Sequence, residues 1–230
     1  MEQSHQVQSS QLCFSSDTEW IVRRHLTHQY LKPIPQRSRD CFAEIINLLD
    51  EHDGPLILDS GCGVGESTLR LASQYPQALV IGIDKSAVRT RRFSHYKNSL
   101  VMLTGEALLN VHIFRADVTD IWRLLAEHSI SINKHVLFYP TPWPKPKHFK
   151  RRWHGHPVFP TLVQISDSIE LRSNWRPYVE EFALAVDMAG THQGEILGID
   201  PQRAISPFER KYLTSGHLLY VYRCSRGQLT

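Results

Sequence analysis

In "LILDSGCGVGES", residues 56–67, three glycines alternate between an apolar run and a helix-forming segment. Glycine lets a backbone turn sharply and lets a ligand approach with no Cβ in the way. Asp59 closes that apolar run, and Asp84 closes the next one, "ALVIGID", 19 residues beyond Gly65. An acid at the tip of a second strand can accept both hydroxyls of a ribose, the nucleoside half of a cofactor. Asp117, at the end of "NVHIFRAD", is placed to meet an adenine amino group. The expected cofactor-binding set is therefore Asp59, Gly61, Gly63, Gly65, Asp84 and Asp117.

The glycine spacing bears on which nucleotide this is. A dinucleotide fold uses G-x-G-x-x-G, so that a pyrophosphate lies on a helix N-terminus. Here the spacing is G-x-G-x-G and the helix opens with Glu66, which would repel a pyrophosphate. S-adenosylmethionine carries a sulfonium and an α-ammonium, and acids such as Asp59 and Glu66 suit it. A methyl donor is favoured over a nicotinamide.

A second stretch, "YPTPWPKPKHFKRRW" (residues 139–153), puts proline at every second position from Pro140 to Pro146 and follows it with cations. Each proline fixes φ and biases its predecessor to extended geometry, so the segment reads as a stiff rim that loses little entropy on binding. No acid occurs between Glu127 and Asp167, an interval holding Lys134, Lys145, Lys147, Lys150, Arg151 and Arg152. A further acid-free run, Ile21 to Arg39, carries Arg23, Arg24, Lys32, Arg37 and Arg39. Local clustering of this kind favours a polyanion contact, with phosphates positioning an RNA. Trp143 either stacks on a base or packs the loop. His154 and His156 read as surface or phosphate-facing residues, not metal ligands.

The elements that must position these residues alternate. "PLILDS", "ALVIGID", "NVHIFRAD", "HVLFY", "GEILGI" and "GHLLYVYRC" read as strands. "DCFAEIINLLDEH", "ESTLRLASQY", "SAVRTRRFSHYKN" (opened by Ser86 as N-cap), "VTDIWRLLAEH", "HPVFPTLVQISDSI" and "WRPYVEEFALAVDMAG" (Pro177 in its first turn) read as helices. This order implies an α/β fold with a mostly parallel sheet covered on both faces. One domain is expected over residues 21–230, including an N-terminal helical extension, behind a loose Gln/Ser-rich tail at 1–20.

Composition sets outer bounds. The 230 residues are 41% hydrophobic and 21% charged, with net charge +3, which excludes wholesale disorder. The four cysteines (Cys13, Cys41, Cys62, Cys224) form no C-x-x-C pair, so neither a zinc site nor a disulfide framework follows. No stretch approaches 18 apolar residues and the N-terminus lacks a signal-peptide core, so a cytoplasmic protein without membrane contact is expected.

Taken together, the glycine loop and the proline-basic loop resemble the bacterial tRNA (guanine-N7)-methyltransferase family, over roughly residues 20–222. The family's segment after strand four is F-P-D-P-W-P-K-x-x-H-x-K-R-R. "YPTPWPKPKHFKRR" matches it at Pro140, Pro142, Trp143, Pro144, Lys145, His148, Lys150, Arg151 and Arg152. The resemblance implies a class I methyltransferase with a Rossmann-like, seven-stranded sheet whose last strand is antiparallel. It also implies S-adenosylmethionine as cofactor, tRNA as partner, no metal, and a monomer or weak homodimer. Lys145, Trp143, His148, Lys150, Arg151 and Arg152 would lie on the substrate side. Ser206, Phe208 and Glu209 of "SPFER" would join them as the counterpart of the family's T-K-F-E.

Three positions depart from the family pattern. Thr141 stands where the family has the acid of P-D-P-W, Ser173-Asn174 replaces T-D, and Ser206-Pro207 replaces T-K. Thr141 and Asn174 are thus the expected neutral guanine holders at the catalytic centre. Two alternatives stay open from the residues alone: a methyltransferase-fold protein with another substrate, and an RNA-binding module with weak or lost turnover.

Overall fold

The computed structural model describes residues 4–7, 17–104 and 108–227. Of the tail expected over 1–20, residues 1–3 and 8–16 lie outside the described residues, as does Cys13. Seven strands form one sheet in the order β3-β2-β1-β4-β5-β7-β6. β1 (Leu56–Ser60), β2 (Leu79–Ile83), β3 (Val111–Phe114) and β4 (Lys134–Phe138) include the parallel pairs β1–β2, β2–β3 and β1–β4. β7 (Leu219–Arg226) runs antiparallel to both β5 (Ser168–Ser173) and β6 (His192–Ile199). A mostly parallel sheet with an antiparallel last strand is the expected fold class. Backbone contacts divide the chain into two compact units, residues 33–136 and residues 1–32 with 137–230.

In the first unit every residue of β1 and β2 is buried, as strands covered on both faces must be. α3 (Glu66–Gln74) packs on β1 and β2 through Leu69, Leu71 and Ala72. α6 (Val118–Glu127) buries Ile121, Trp122, Leu124 and Leu125, and Asp117 caps it by accepting from Thr119 N–H. α2 (Gln36–Asp50) packs on α6, where Ser38 donates to Asp120 at 2.8 Å. Beneath the sheet, Trp122 Nε1–H donates to Ser60 Oγ (3.0 Å), which lies 2.7 Å from His135 Nε2. Burial drives the His135 pKa down to about 3, so the ring is neutral.

The expected single helix "SAVRTRRFSHYKN" is two. Ser86 caps α4 (Ala87–Thr90) as expected, but the chain turns at Arg91-Arg92 before α5 (Phe93–Thr104).

In the second unit, α8 (Arg176–Ala189) buries Tyr178, Val179, Phe182, Ala185 and Val186 and packs on β5, β6 and β7 and on α1 (Thr18–Leu26). Gly190 ends it in the left-handed region at φ 72°. The expected helix "HPVFPTLVQISDSI" is corrected here: α7 covers only Phe159–Gln164, and the rest runs into β5. Ile169 and Leu171 alternate on the pleat, a period-2 pattern that the nearby helical spacing masked. α9 (Pro207–Thr214) also went unread, although S-P-F-E is a helix-start signature: Ser206 Oγ accepts from Glu209 N–H at 3.2 Å.

Candidate active site

The residues expected to hold a methyl donor in the first unit converge at the carboxyl ends of β1 and β2. Gly61, Gly63 and Gly65 all have positive φ (80°, 61° and 83°), which is why this turn is built from glycine. Gly61 and Cys62 N–H donate to Ile83 O (2.8 and 3.1 Å), folding the turn over the end of β2. A Cβ on Gly65 would meet Ile113 Cδ1 at 2.2 Å and Phe93 Cδ2 at 2.7 Å, so the loop's exit is closely packed. A Cβ on Gly61 would meet nothing within 4 Å, and one on Gly63 only Arg89 Cδ at 4.0 Å, so this part of the loop leaves room for a ligand.

Asp59 is buried and accepts from Ser67 Oγ (2.5 Å) and Thr68 Oγ1 (2.8 Å) on the first turn of α3. Burial lifts its pKa from 3.8 to about 6; the two hydroxyls pull it down and Asp84 pushes it up. Asp84 is also buried. Its Oδ1 accepts from Ser86 N–H (2.7 Å), and its Oδ2 accepts from Gly63 N–H (3.1 Å) and lies 3.2 Å from Arg89 Nη1. A carboxylate has about four lone-pair sites, two per oxygen, so Oδ2 is saturated. A ribose that takes both oxygens must displace Arg89. The structure brings Asp59, Asp84 and the glycines together. Asp117 is half-buried and its Oδ1 is occupied by the Thr119 amide and hydroxyl.

These groups fit a cationic methyl donor. Room over the glycine turn would admit a nucleoside, and two buried carboxylates would gain from a positive charge brought alongside. Sequence reasoning missed Ser67, Thr68 and Arg89, because side-chain pairing across a turn has no signature in the spacing.

The rim belongs to the second unit. Tyr139 and Trp143 are non-glycine residues at φ 52° and 46°, a conformation that persists only where the surroundings enforce it. Tyr139 N–H donates to Arg172 O at 2.8 Å, and its hydroxyl donates to Glu209 Oε2 at 2.6 Å. Arg152 Nε and Nη2 donate to Trp143 O at 3.2 and 3.1 Å, clamping the second bend. Thr141, Lys145, Lys147, Lys150 and Arg151 are exposed. Trp143 is half-buried, with the Arg151 guanidinium 4.7 Å over its ring and His148 5.5 Å away edge-on. Its packing within the loop is therefore on view.

Arg152 does not share the surface with its neighbours. It is 0% exposed, ion-paired with the equally buried Glu181 and stacked against Trp175 and Phe149. No phosphate reaches it. The physical reason is helical period: Pro146–Arg151 is a 3₁₀ turn of three residues per turn, which eclipses Arg152 with buried Phe149 and leaves Lys150 and Arg151 outside. His154 is likewise corrected from surface to interior: it is 0% exposed and lies 3.1 Å from Glu181 Oε2. Burial lowers its pKa against the opposing pull of Glu181. Thr18 on α1 donates to the other Glu181 oxygen at 3.4 Å, so one α8 carboxylate ties the N-terminal helix to the rim.

Glu209 is 0% exposed too. It accepts from Tyr139, from Arg172 Nη1 (3.2 and 3.1 Å) and from Ile205 N–H (2.9 Å). Its role in the structure is to hold the first bend of the rim, with Ser206 buried as its helix cap, whereas Phe208 next to it is 47% exposed. Asn174 is half-buried, its amide 2.9 Å from His217 Nδ1.

With this geometry in view, similarity to known proteins is informative. The family Methyltransf_4, described as "Putative methyltransferase", matches residues 53–217. A tRNA (guanine-N(7)-)-methyltransferase of Stutzerimonas stutzeri (strain A1501) is 26% identical over 184 residues, spanning 75% of this chain and 73% of that one. A protein of the same name from Treponema pallidum (strain Nichols) is 27% identical over 195 residues, 82% of this chain and 72% of its own. Among solved structures, the 16S rRNA methyltransferase KamB superposes with a TM-score of 0.58 at 17% identity, covering 80% of this chain and 94% of KamB. That likeness identifies the fold as the methyltransferase one.

Proposed function

Because the chain belongs to the Methyltransf_4 family of methyltransferases, we propose that it transfers a methyl group from S-adenosylmethionine to N7 of a guanine in tRNA. The observation that carries this reading is the exposed cationic rim. Lys145 ends the P-x-P-W-P-K segment, and Lys147, Lys150 and Arg151 follow it directly, in a chain whose relatives bear that name over about three quarters of its length. An exposed run of cations without acids suits an RNA backbone and serves no purpose for a small neutral acceptor.

S-adenosylmethionine supplies an electrophilic methyl carbon on a positively charged sulfur. Guanine N7 carries an in-plane lone pair and no proton, so its attack forms the N–C bond as the S–C bond breaks, and no general base is needed. The electron pair of the broken bond stays on sulfur. The tasks left to the protein are alignment and exclusion of water. Asp84 would hold the ribose, with Arg89 displaced, and ionised Asp59 would balance the donor's charge. Thr141 and Asn174 hold the guanine edge as neutral acceptors. Replacing a charged acceptor by a neutral one costs about 1–3 kcal/mol, roughly tenfold to a hundredfold in rate. Turnover is slower than with acids at both places, but it survives.

The test is acceptor choice. Purified protein with tritium-labelled methyl donor is offered bulk tRNA, ribosomal RNA and a protein extract in parallel. Label entering tRNA alone supports the reading; label entering protein alone, or nothing, rejects it.

A further inference from the structure

The rim is not the only cationic segment without acids. From Lys85 to Gly105 no acid occurs, and its first thirteen residues hold Lys85, Arg89, Arg91, Arg92 and Lys97. Lys85, Arg89, Arg91 and Arg92 are exposed, and so is Arg115, whose Nε donates to Lys85 O at 3.5 Å and adds a sixth cation. Several arginines elsewhere pair with acids: Arg70 with Glu66, Arg172 with Glu170 and Glu209, Arg176 with Glu180. Within the cationic segment the ion pair formed among the described residues is Arg89 with Asp84. So much like charge held together without acids is self-repulsive unless a polyanion neutralises it.

Its place in the unit is equally telling. The segment begins on the residue after the donor-pocket acid Asp84. Phe93, directly after Arg92, lies against Gly65 closely enough that a Cβ there would meet its ring at 2.7 Å. The cations are thus fixed to the donor loop itself rather than carried on a free surface helix. We infer that Lys85, Arg91, Arg92 and Arg115 form a second phosphate-contacting surface for the RNA, on the unit that holds the methyl donor. This rests on the RNA reading above and extends it from the rim to the donor side.

The test compares Arg91→Glu/Arg92→Glu with the rim variant Lys150→Glu/Arg151→Glu. An unmodified tRNA transcript is titrated by fluorescence anisotropy at several salt concentrations. Each lost phosphate contact takes roughly 0.7–0.9 from the slope of log affinity against log salt. The inference expects the Arg91/Arg92 variant to bind tRNA at least about tenfold more weakly, with a slope flatter by about 1.5. S-adenosylhomocysteine binding by calorimetry should stay unchanged, which reports the fold. If that binding is lost, Arg91→Gln/Arg92→Gln replaces the double reversal. Wild-type affinity and slope in the Arg91/Arg92 variant, with the rim variant weakened, overturns this inference alone. Both variants binding as wild type overturns the RNA reading itself. Weakened binding of polyglutamate with tRNA binding intact assigns the surface to an acidic protein and likewise overturns the inference.

Discussion

On the role proposed for Asp59, folding and function pull in opposite directions. Its pKa, raised from 3.8 to about 6 by burial, means that the folded protein holds this proton more tightly than the unfolded chain. Stability from this group is therefore full below pH 4, falls as pH rises towards 6, and stays lower by about 3 kcal/mol above that. Neutral, buried His135 and His154 push the other way, because acid must charge them. The wild-type curve alone thus hides the effect. Asp59→Asn should match wild type near pH 4 and exceed it by about 1–3 kcal/mol at pH 7 in urea denaturation, while losing donor affinity. Equal stability at both pH values would remove the conflict.

Arg89 lends itself to a second residue-scale prediction. If Asp84 takes a ribose as proposed, the ion pair competes with it, so Arg89→Ala should bind S-adenosylhomocysteine more tightly, by about 1 kcal/mol, the scale of a half-exposed pair. In wild type, added salt should weaken the pair and improve binding of this net-neutral nucleoside; in the variant the salt effect should vanish. Weaker binding by the variant would make Arg89 a ligand contact instead. Neither Arg89 nor the Ser67 and Thr68 hydroxyls was legible in the sequence. The glycines and acids were, because positive φ and strand-end placement leave a chemical trace in residue type, whereas the partner of a buried carboxylate depends on which side chains the turn happens to bring near.

At the scale of elements, the rim is a stiff loop with two enforced bends, each held by a buried carboxylate. Glu209 fixes Tyr139, and Glu181 fixes Arg152, which grips Trp143. Glu181→Ala would strand a buried guanidinium beside His154 and cost about 3–5 kcal/mol, with the rim loosened. Chemical denaturation measures the loss, and a change under 1 kcal/mol would show that Arg152 finds another partner. The sequence marked the rim but not its anchors: a motif gives residue identity, and only the 3₁₀ period turns Arg152 inward while Arg151 faces out. Helices α3 and α8 were readable from apolar spacing and their Gly and Pro punctuation. β5 was not, since Leu162, Ile165 and Ile169 fall at i+3 and i+4 helical spacing until Ser166-Asp167 is seen to break the helix.

Across the whole molecule, the alternation of apolar runs and amphipathic segments foretold a mostly parallel sheet, but the strand order β3-β2-β1-β4-β5-β7-β6 is long-range information that no local pattern holds. Charge distribution was the more informative global property. A net charge of only +3 conceals separate acid-free cationic runs, among them one at the rim and one beside the glycine loop. The proposed function at this scale is the delivery of one methyl group to one purine atom in a polyanion. The most direct measurement is nucleoside mass spectrometry of tRNA incubated with the protein and S-adenosylmethionine bearing a trideuterated methyl group. The account predicts 7-methylguanosine heavier by three mass units; unlabelled nucleosides, or label confined to any other position, would contradict it.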